Sequence, residues 1–423
     1  MPHVRLTMSH LLPRSICLGV ITAGCAAALA VPDTTPAPPD VAMLRAHGPA
    51  GLAALLARWD RMAPGADRDA LEQTIDHVAA QRYATVSRLY WYTDLPAAEA
   101  AAQAQHRPIL ALRMLGRLDE DLSCANSRLF RATLYSNAEV SQYLRDHFVL
   151  YWSSERPVPR VTIDFGDGRT LERTTTGNSA HYVLDEHGEV LDVLPGLYAP
   201  AVFRGELAKS LALAERARDT QPGMRAALVR GYHDAALAAT ANAFMGVAGR
   251  PYVAVVGRLP GAKETASSLA RAQRATMSKA AIEVRDLVRI GFAAGKIDPT
   301  DVAQWAAVGQ STWGLAAGTI LDAPSRALVT RLHNAAGTPA SAAATRAMLA
   351  RLEQSIVADT ALDEHLLRQQ IRAEIVNNGV RDFASLNAWV YANVFHTPRS
   401  DEWLGLLPRT DFTGLPGDGV TLR

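Results

Sequence analysis

RPILALRMLGRLDEDLSCANSRLFRATLYSNAEVSQYLRDHFVLYW, residues 107–152, decides the fold of this chain. Pro108 to Met114 is a continuous apolar run broken only by Arg113, the pattern of a central strand covered on both faces. A long loop follows, then a helix opened by Cys124-Ala-Asn-Ser127, a second helix for which Asn137 is the predicted cap, and a second buried strand from Phe148 to Trp152. The stretch therefore places a thiol at a strand-to-helix junction.

Upstream, Arg88 to Thr93 is strand-like and passes into a helix that Asp94 caps, with Pro96 in the first turn and Ala97 to Gln105 following. Before that, apolar residues at helical spacing predict two helices, from Val41 to Trp59 and from Asp67 to Tyr83. Downstream, Val161, Ile163 and Phe165 alternate toward the turn Gly166-Asp-Gly-Arg169, which predicts a β-hairpin inserted at 153–180. A second hairpin joins His181–Asp185 to Val190–Leu194, and Pro200 to Arg216 reads as an amphipathic helix.

The N-terminal 30 residues read as a processing segment. Arg5 and Arg14 precede an apolar run from Ile16 to Ala30 that ends in Ala28-Leu29-Ala30, a small-x-small site. Export to the periplasm or cell envelope is expected, with no integral membrane span after processing. Thr22-Ala-Gly-Cys25 offers the alternative of lipid anchoring at Cys25, with Thr where a larger aliphatic residue is usual. Residues 31–40 form a Pro-rich linker and 41–86 the N-terminal helices. Of three cysteines, Cys17 and Cys25 lie in the leader, so cleavage after Ala30 leaves Cys124 alone and the fold resting on packing without a disulfide.

The chain has 423 residues, 48% hydrophobic and 20% charged, with a formal net charge of +1. No overall field favours nucleic acid. From 220 to 423 the pattern is helical and Ala-rich, punctuated by Gly and Pro and free of a fixed-period repeat, and Thr410 to Arg423 reads as an irregular tail. Glu364-His365 in DTALDEHLLRQQIR lacks the second His of a zinc helix, and Ser278-Lys279 does not match a Ser-x-x-Lys nucleophile. The aromatic set Phe383, Trp389, Tyr391, Phe395 and Trp403 has core spacing. This half reads as a scaffold or interaction domain.

Local phrases within 87–219 resemble the extracytoplasmic thioredoxin-like proteins. Tyr90-Trp91 with Asp94-Leu95 and His106-Arg-Pro108 is similar to their entry strand and helix, Ser136-Asn137-Ala-Glu-Val140 with Phe148-Val149 to a following helix and strand, and Tyr182-Val-Leu-Asp185 with Gly188 and Gly196 to their terminal hairpin. The resemblance implies an α/β thioredoxin-like domain, a mixed central sheet flanked by helices, followed by a mostly α-helical domain. It also implies that Cys124-Ala-Asn-Ser127 occupies the place of the family's two-cysteine motif, with Ser127 for the resolving thiol, and that Ala180 stands at the cis-proline position with His181 next.

One thiol cannot cycle intramolecularly, but it can form mixed disulfides with a client protein or a small thiol. In that reading Cys124 is the nucleophile, Ser127 or Asn126 its hydrogen-bond partner, and His181 a base or orienter. The acidic run Asp119-Glu-Asp121 opposes charge on the sulfur. The alternative is a non-catalytic thioredoxin-like binding or structural module of the cell envelope in which Cys124 is a buried core residue. Cys124 and His181 are too few for a metal site, and no cofactor is expected. Nothing in the sequence sets the oligomeric state.

Overall fold

The computed structural model describes residues 39–174, 177–248, 302–316, 318–335 and 339–400. The leader with Cys17 and Cys25, the linker as far as Pro38, the segment 249–301 with Ser278-Lys279, and the tail 401–423 with Trp403 lie outside the described residues.

Four short helices open the described chain: α1 (Pro39–Ala46), α2 (Pro49–Arg61), α3 (Ala66–Ala79) and α4 (Ala84–Ser87). The helix predicted from Val41 to Trp59 is thus two helices. Pro49 has no N–H to donate and its ring disfavours α geometry at Gly48, so the chain turns there and restarts with Pro49 in the first helical turn. Helix α5 (Leu95–Gln105) is capped by Asp94, whose carboxylate accepts the Ala97 N–H at 2.9 Å.

The sheet is mixed, with spatial order β2-β1-β5-β6: β1 (Ile109–Leu115), β2 (Val149–Arg156), β5 (Ala180–Leu184) and β6 (Val190–Pro195). Strand β1 pairs parallel with β2, Ile109 opposite Val149, and antiparallel with β5, Ile109 opposite Leu184. Residues of β1 other than Arg113 are fully buried, as expected for a strand covered on both faces. Arg113 is tolerated because the adjacent strand answers it, with Ser153 Oγ accepting at 2.6 Å and the Glu155 carboxylate pairing with the guanidinium. Tyr92 adds a bridge on the outer side of β2, its N–H reaching the Leu150 carbonyl at 2.8 Å and its carbonyl accepting from Trp152 at 3.0 Å.

Between β1 and β2 lie α6 (Ala125–Leu129), a π-turn at Phe130–Leu134, and α7 (Ala138–His147). Asn137 caps α7 by accepting the Val140 N–H at 3.0 Å. Strands β3 (Arg160–Asp164) and β4 (Thr170–Thr174) form a two-stranded antiparallel ribbon apart from the main sheet. The later described helices are α8 (Pro200–Arg218), α9 (Pro222–Ala248), α10 (Val302–Trp313), α11 (Ala323–His333), α12 (Ala342–Leu362), α13 (Arg368–Asn378) and α14 (Phe383–Trp389). π-Turns at Asp363–Leu367 and Val390–Val394 follow α12 and α14.

One hydrophobic core runs from Leu89 through the sheet to Phe395, and a smaller one holds α1–α3 together around Leu52, Ile75 and Val78. The described residues all fall in a single compact unit. Two indole donors tie the first helices to the sheet: Trp91 Nε1 donates to Gln81 Oε1 at 2.7 Å and Trp152 Nε1 to the Ala80 carbonyl at 2.8 Å. Both bonds are buried, so each satisfies a polar group that would otherwise cost free energy in an apolar setting.

The end of β6 shows how tightly the later helices sit on the sheet. Gly196 has φ +78°, and the Asp363 carboxylate lies against it while accepting the Leu197 N–H at 2.6 Å. A Cβ at this position would meet an Asp363 oxygen at 2.1 Å. Gly196→Ala is therefore expected to destabilise the fold by about 2–3 kcal/mol, from the left-handed backbone plus displacement of the carboxylate. A lowered midpoint at unchanged m-value in urea unfolding is the check, and an unshifted midpoint would show that Asp363 is free to move away.

Candidate functional site

Cys124 is held from both sides in sequence. Its N–H donates to the carbonyl of Leu115, the last residue of β1, at 3.1 Å, and its own carbonyl accepts from Arg128 at 3.1 Å as α6 begins. Ser123 is fixed in turn by Thr174, whose hydroxyl donates to the Ser123 carbonyl at 2.7 Å. The cysteine thus sits at the N-cap of α6, but its side chain makes no capping bond to the helix.

The sulfur is fully buried. It lies 3.3 Å from Ser127 Oγ, to which the thiol donates, and 2.8 Å from Ser179 Oγ, whose hydroxyl is then free to donate to sulfur. Ser127 Oγ lies 2.7 Å from Ser123 Oγ and 2.9 Å from the Cys124 carbonyl, the acceptors available for its proton. Three hydroxyls and one thiol therefore form a sealed cluster. Asn126, also fully buried, does not reach the sulfur, and neither its amide oxygen nor its nitrogen has a hydrogen-bond partner.

His181 is placed differently. It stands on β5 opposite Leu112 of β1 and Leu194 of β6, fully buried between the rings of Phe130 (centroids 4.7 Å apart) and Phe203 (4.9 Å). Its Nε2 makes a 2.6 Å bond with the Tyr135 hydroxyl, and Nδ1 has no hydrogen-bond partner. Burial pushes the imidazole pKa down to about 3, so the ring is neutral at physiological pH. With the imidazole neutral, Tyr135 O–H donates to an unprotonated Nε2 and the proton rests on Nδ1. The structure thus brings Cys124 and Ser127 together, while His181 is bonded to Tyr135 and makes no hydrogen bond to the thiol.

What closes over the cluster comes from the far end of the chain. Asn178, next to Ser179, accepts at its carbonyl from the Tyr391 hydroxyl at 3.0 Å and donates from Nδ2 to Thr397 Oγ1 at 2.8 Å. Tyr391 is buried, which raises its phenol pKa well above the ordinary value, and it lies close enough to the sulfur to feel a charge placed there. Nearby, Glu155 binds Arg113, Arg399 and Asn387, and Asn387 Oδ1 accepts from Tyr182 at 3.1 Å. Burial raises the Glu155 pKa, but Arg399 and Arg113 outweigh it and hold the carboxyl below its ordinary range. The acidic loop faces elsewhere: Asp121 pairs with Arg82 and Tyr83, and Asp119 with Arg117.

The partners of the predicted residues, Ser179 for the sulfur and Tyr135 for the imidazole, escape sequence reading. Ser179 lies 55 positions from Cys124 and Tyr135 lies 46 from His181. Both contacts join the segment between β1 and β2 to the start of β5, which pairs with β1. Among the described residues no group of three His, Cys, Asp or Glu side chains is arranged to hold a metal ion, and no helix is long and apolar enough to cross a membrane. Comparison with protein-family models, with curated proteins and with solved structures finds no match to this chain.

Proposed function

We propose that this chain is a non-catalytic thioredoxin-like binding or structural module of the cell envelope, in which the place of a redox pair has become a packed thiol–hydroxyl cluster. The observation that carries this reading is the full burial of Cys124 Sγ between Ser127 and Ser179. Thiol–disulfide exchange needs a thiolate in line with an incoming disulfide, and a buried sulfur among hydroxyls offers no such approach. His181, neutral and bonded to Tyr135, is not placed to take the thiol proton.

Support for the fold assignment comes from the order of elements. Tyr92 bridges the outside of β2, β2 runs parallel to a central β1, and β5 and β6 run antiparallel, which supports the mixed central sheet that the sequence resemblance implies. The envelope assignment rests on the leader reading of residues 1–30 alone.

Alkylation of Cys124 by iodoacetamide tests the reading. In the intact chain, modification is expected to be slower than in guanidinium-unfolded chain by on the order of a thousandfold, the protection that opening of a core segment sets. The competing reading, a monothiol exchanger, draws on the two hydroxyls within reach of the sulfur. It requires fast native alkylation with a titration below the free-cysteine value of about 8.5, and covalent partners trapped in cells by the native chain and lost in Cys124→Ala. Those two results together would overturn the structural reading.

A further inference from the structure

A cleft of about 440 Å³ opens on the side of the molecule where α2 faces the outer edge of the sheet. Its lining includes Leu52 and Leu56 of α2, Phe148 just before β2, Leu150 in β2, and Tyr90. The size and the apolar lining are those of a small-molecule site. No residue of the thiol cluster contributes to it.

Three arginines stand along one rim and are chained to one another through the backbone. Arg145 donates to the Ser87 carbonyl at 2.8 Å, beside Arg88, and Arg107 donates to the Arg145 carbonyl at 2.9 Å. Their charges are unequally compensated. Arg88 is matched by Asp60 in a two-pronged pair at 2.6 and 3.0 Å, which is neutral overall. Arg107 and Arg145 have no carboxylate within ion-pair distance among the described residues. Asp146, the residue after Arg145, accepts from Gln142 Nε2 at 2.8 and 2.9 Å, and Gln142 Oε1 accepts from Arg145 Nη2 at 2.7 Å, so the amide stands between the two charges. Arg145 is half-buried; burial lowers its pKa, and the charge of Asp146 only partly offsets this while the like charge of Arg88 adds to it.

Two guanidinium groups without an ion-pair partner among the described residues thus stand at an apolar cleft, one of them, Arg145, with only the unpaired charge of Asp146 nearby. Desolvating them without an anion is costly, whereas a carboxylate accepts from a guanidinium fork with good geometry. An alkyl chain on that carboxylate then lies along α2 and β2 and removes apolar surface from water. We propose that this cleft binds an amphipathic monocarboxylate, its head group on Arg107 and Arg145 and its apolar chain between α2 and the start of β2.

Calorimetric titration of the full chain with decanoate, and with decanol as the uncharged control, tests the assignment. Decanoate is expected to bind with one-to-one stoichiometry at least tenfold more tightly than decanol. Arg107→Gln and Arg145→Gln should each weaken decanoate about tenfold and leave decanol unchanged, the signature of a charge-assisted contact. Ala53→Trp, which fills the cleft from an exposed position of α2, should abolish binding of both without touching the core. Equal affinity for decanoate and decanol, decanoate binding that survives Ala53→Trp, or no binding at millimolar decanoate would each overturn the proposal. The outcome is independent of whether Cys124 is reactive.

Discussion

Replacing Arg368 by Met is expected to cost about 3–5 kcal/mol of stability at neutral pH, a large share of the about 5–15 kcal/mol that holds a typical domain folded. The guanidinium of Arg368 is completely buried and is the shared cation of three carboxylates: Asp192 at 2.6 Å, and Glu206 and Glu364 at 2.8 Å each. Arg372 adds a second bond to Glu364 at 3.0 Å. Burial alone would raise the Asp192 and Glu364 carboxyls, but Arg368 and Arg372 hold both below the usual carboxylate range. With Arg368 removed, Asp192 loses its only ion-pair partner among the described residues, and Glu364 and Glu206 are left with Arg372 and, for Glu206, Lys209.

The pH dependence of that variant identifies the cause. In Arg368→Met the folded-state pKa values of Asp192 and Glu364 are expected to rise above their unfolded values, so their contribution is present at low pH and lost as pH rises through the new values. Urea midpoints of Arg368→Met are expected to increase from pH 7 to pH 5, relative to the native chain at the same pH. Arg368→Lys, which keeps one charge but not the fork, should fall between the two. A loss in Arg368→Met that is the same at both pH values would show that packing, and not charge, is what the arginine supplies.

The second large effect is acid lability centred on His181. Its folded-state pKa is lowered to about 3 from the ordinary 6.5, so the unfolded chain takes up a proton that the folded chain refuses. The linked stability is complete above about pH 6.5 and is lost as pH falls toward about 3, by about 4–5 kcal/mol at most. His365, lowered to about 4 by burial, acts in the same direction. Asp76 opposes them: burial lifts its carboxyl to about 6, so its contribution is present at low pH and fades as pH rises through 6. Comparing the native chain with His181→Leu removes both of these backgrounds. The variant loses a constant amount from the orphaned Tyr135 hydroxyl, and its stability is expected to fall less steeply between pH 6.5 and 4. Parallel slopes in the two proteins would mean that water reaches the imidazole.

Legibility in the sequence follows the range of the interaction. The apolar run of β1 and the caps at Asp94 and Asn137 are set within a few residues, and each can be read from neighbours alone. The burial of Cys124 cannot, because the groups beside it arrive from Ser179 and Tyr391. The Arg368 cluster is an intermediate case. Glu364, Arg368 and Arg372 share one helical face by their spacing of four, but that face alone reads as solvated. The informative signal is Asp192, a single acid inside the apolar strand VLDVLP, since a charge at such a position demands a buried partner. Arg113 in β1 is the same signal with the sign reversed, and Glu155 is its answer.

The bonds that Asn387, Tyr391, Thr397 and Arg399 make to the sheet region have a consequence for how the chain matures during synthesis. They join residues separated by 205, 213, 219 and 244 positions along the chain. At ribosomal rates of about 5–20 residues per second, roughly 10–50 s pass between emergence of Glu155 and of Arg399. Throughout that interval the nascent sheet carries Glu155 and Asn178 without these C-terminal partners. Closure of so long a loop is entropically slow and comes last. The native state is thus reached only after the C-terminal helices have left the ribosome, and chains ending before α14 should persist as partly folded, aggregation-prone species.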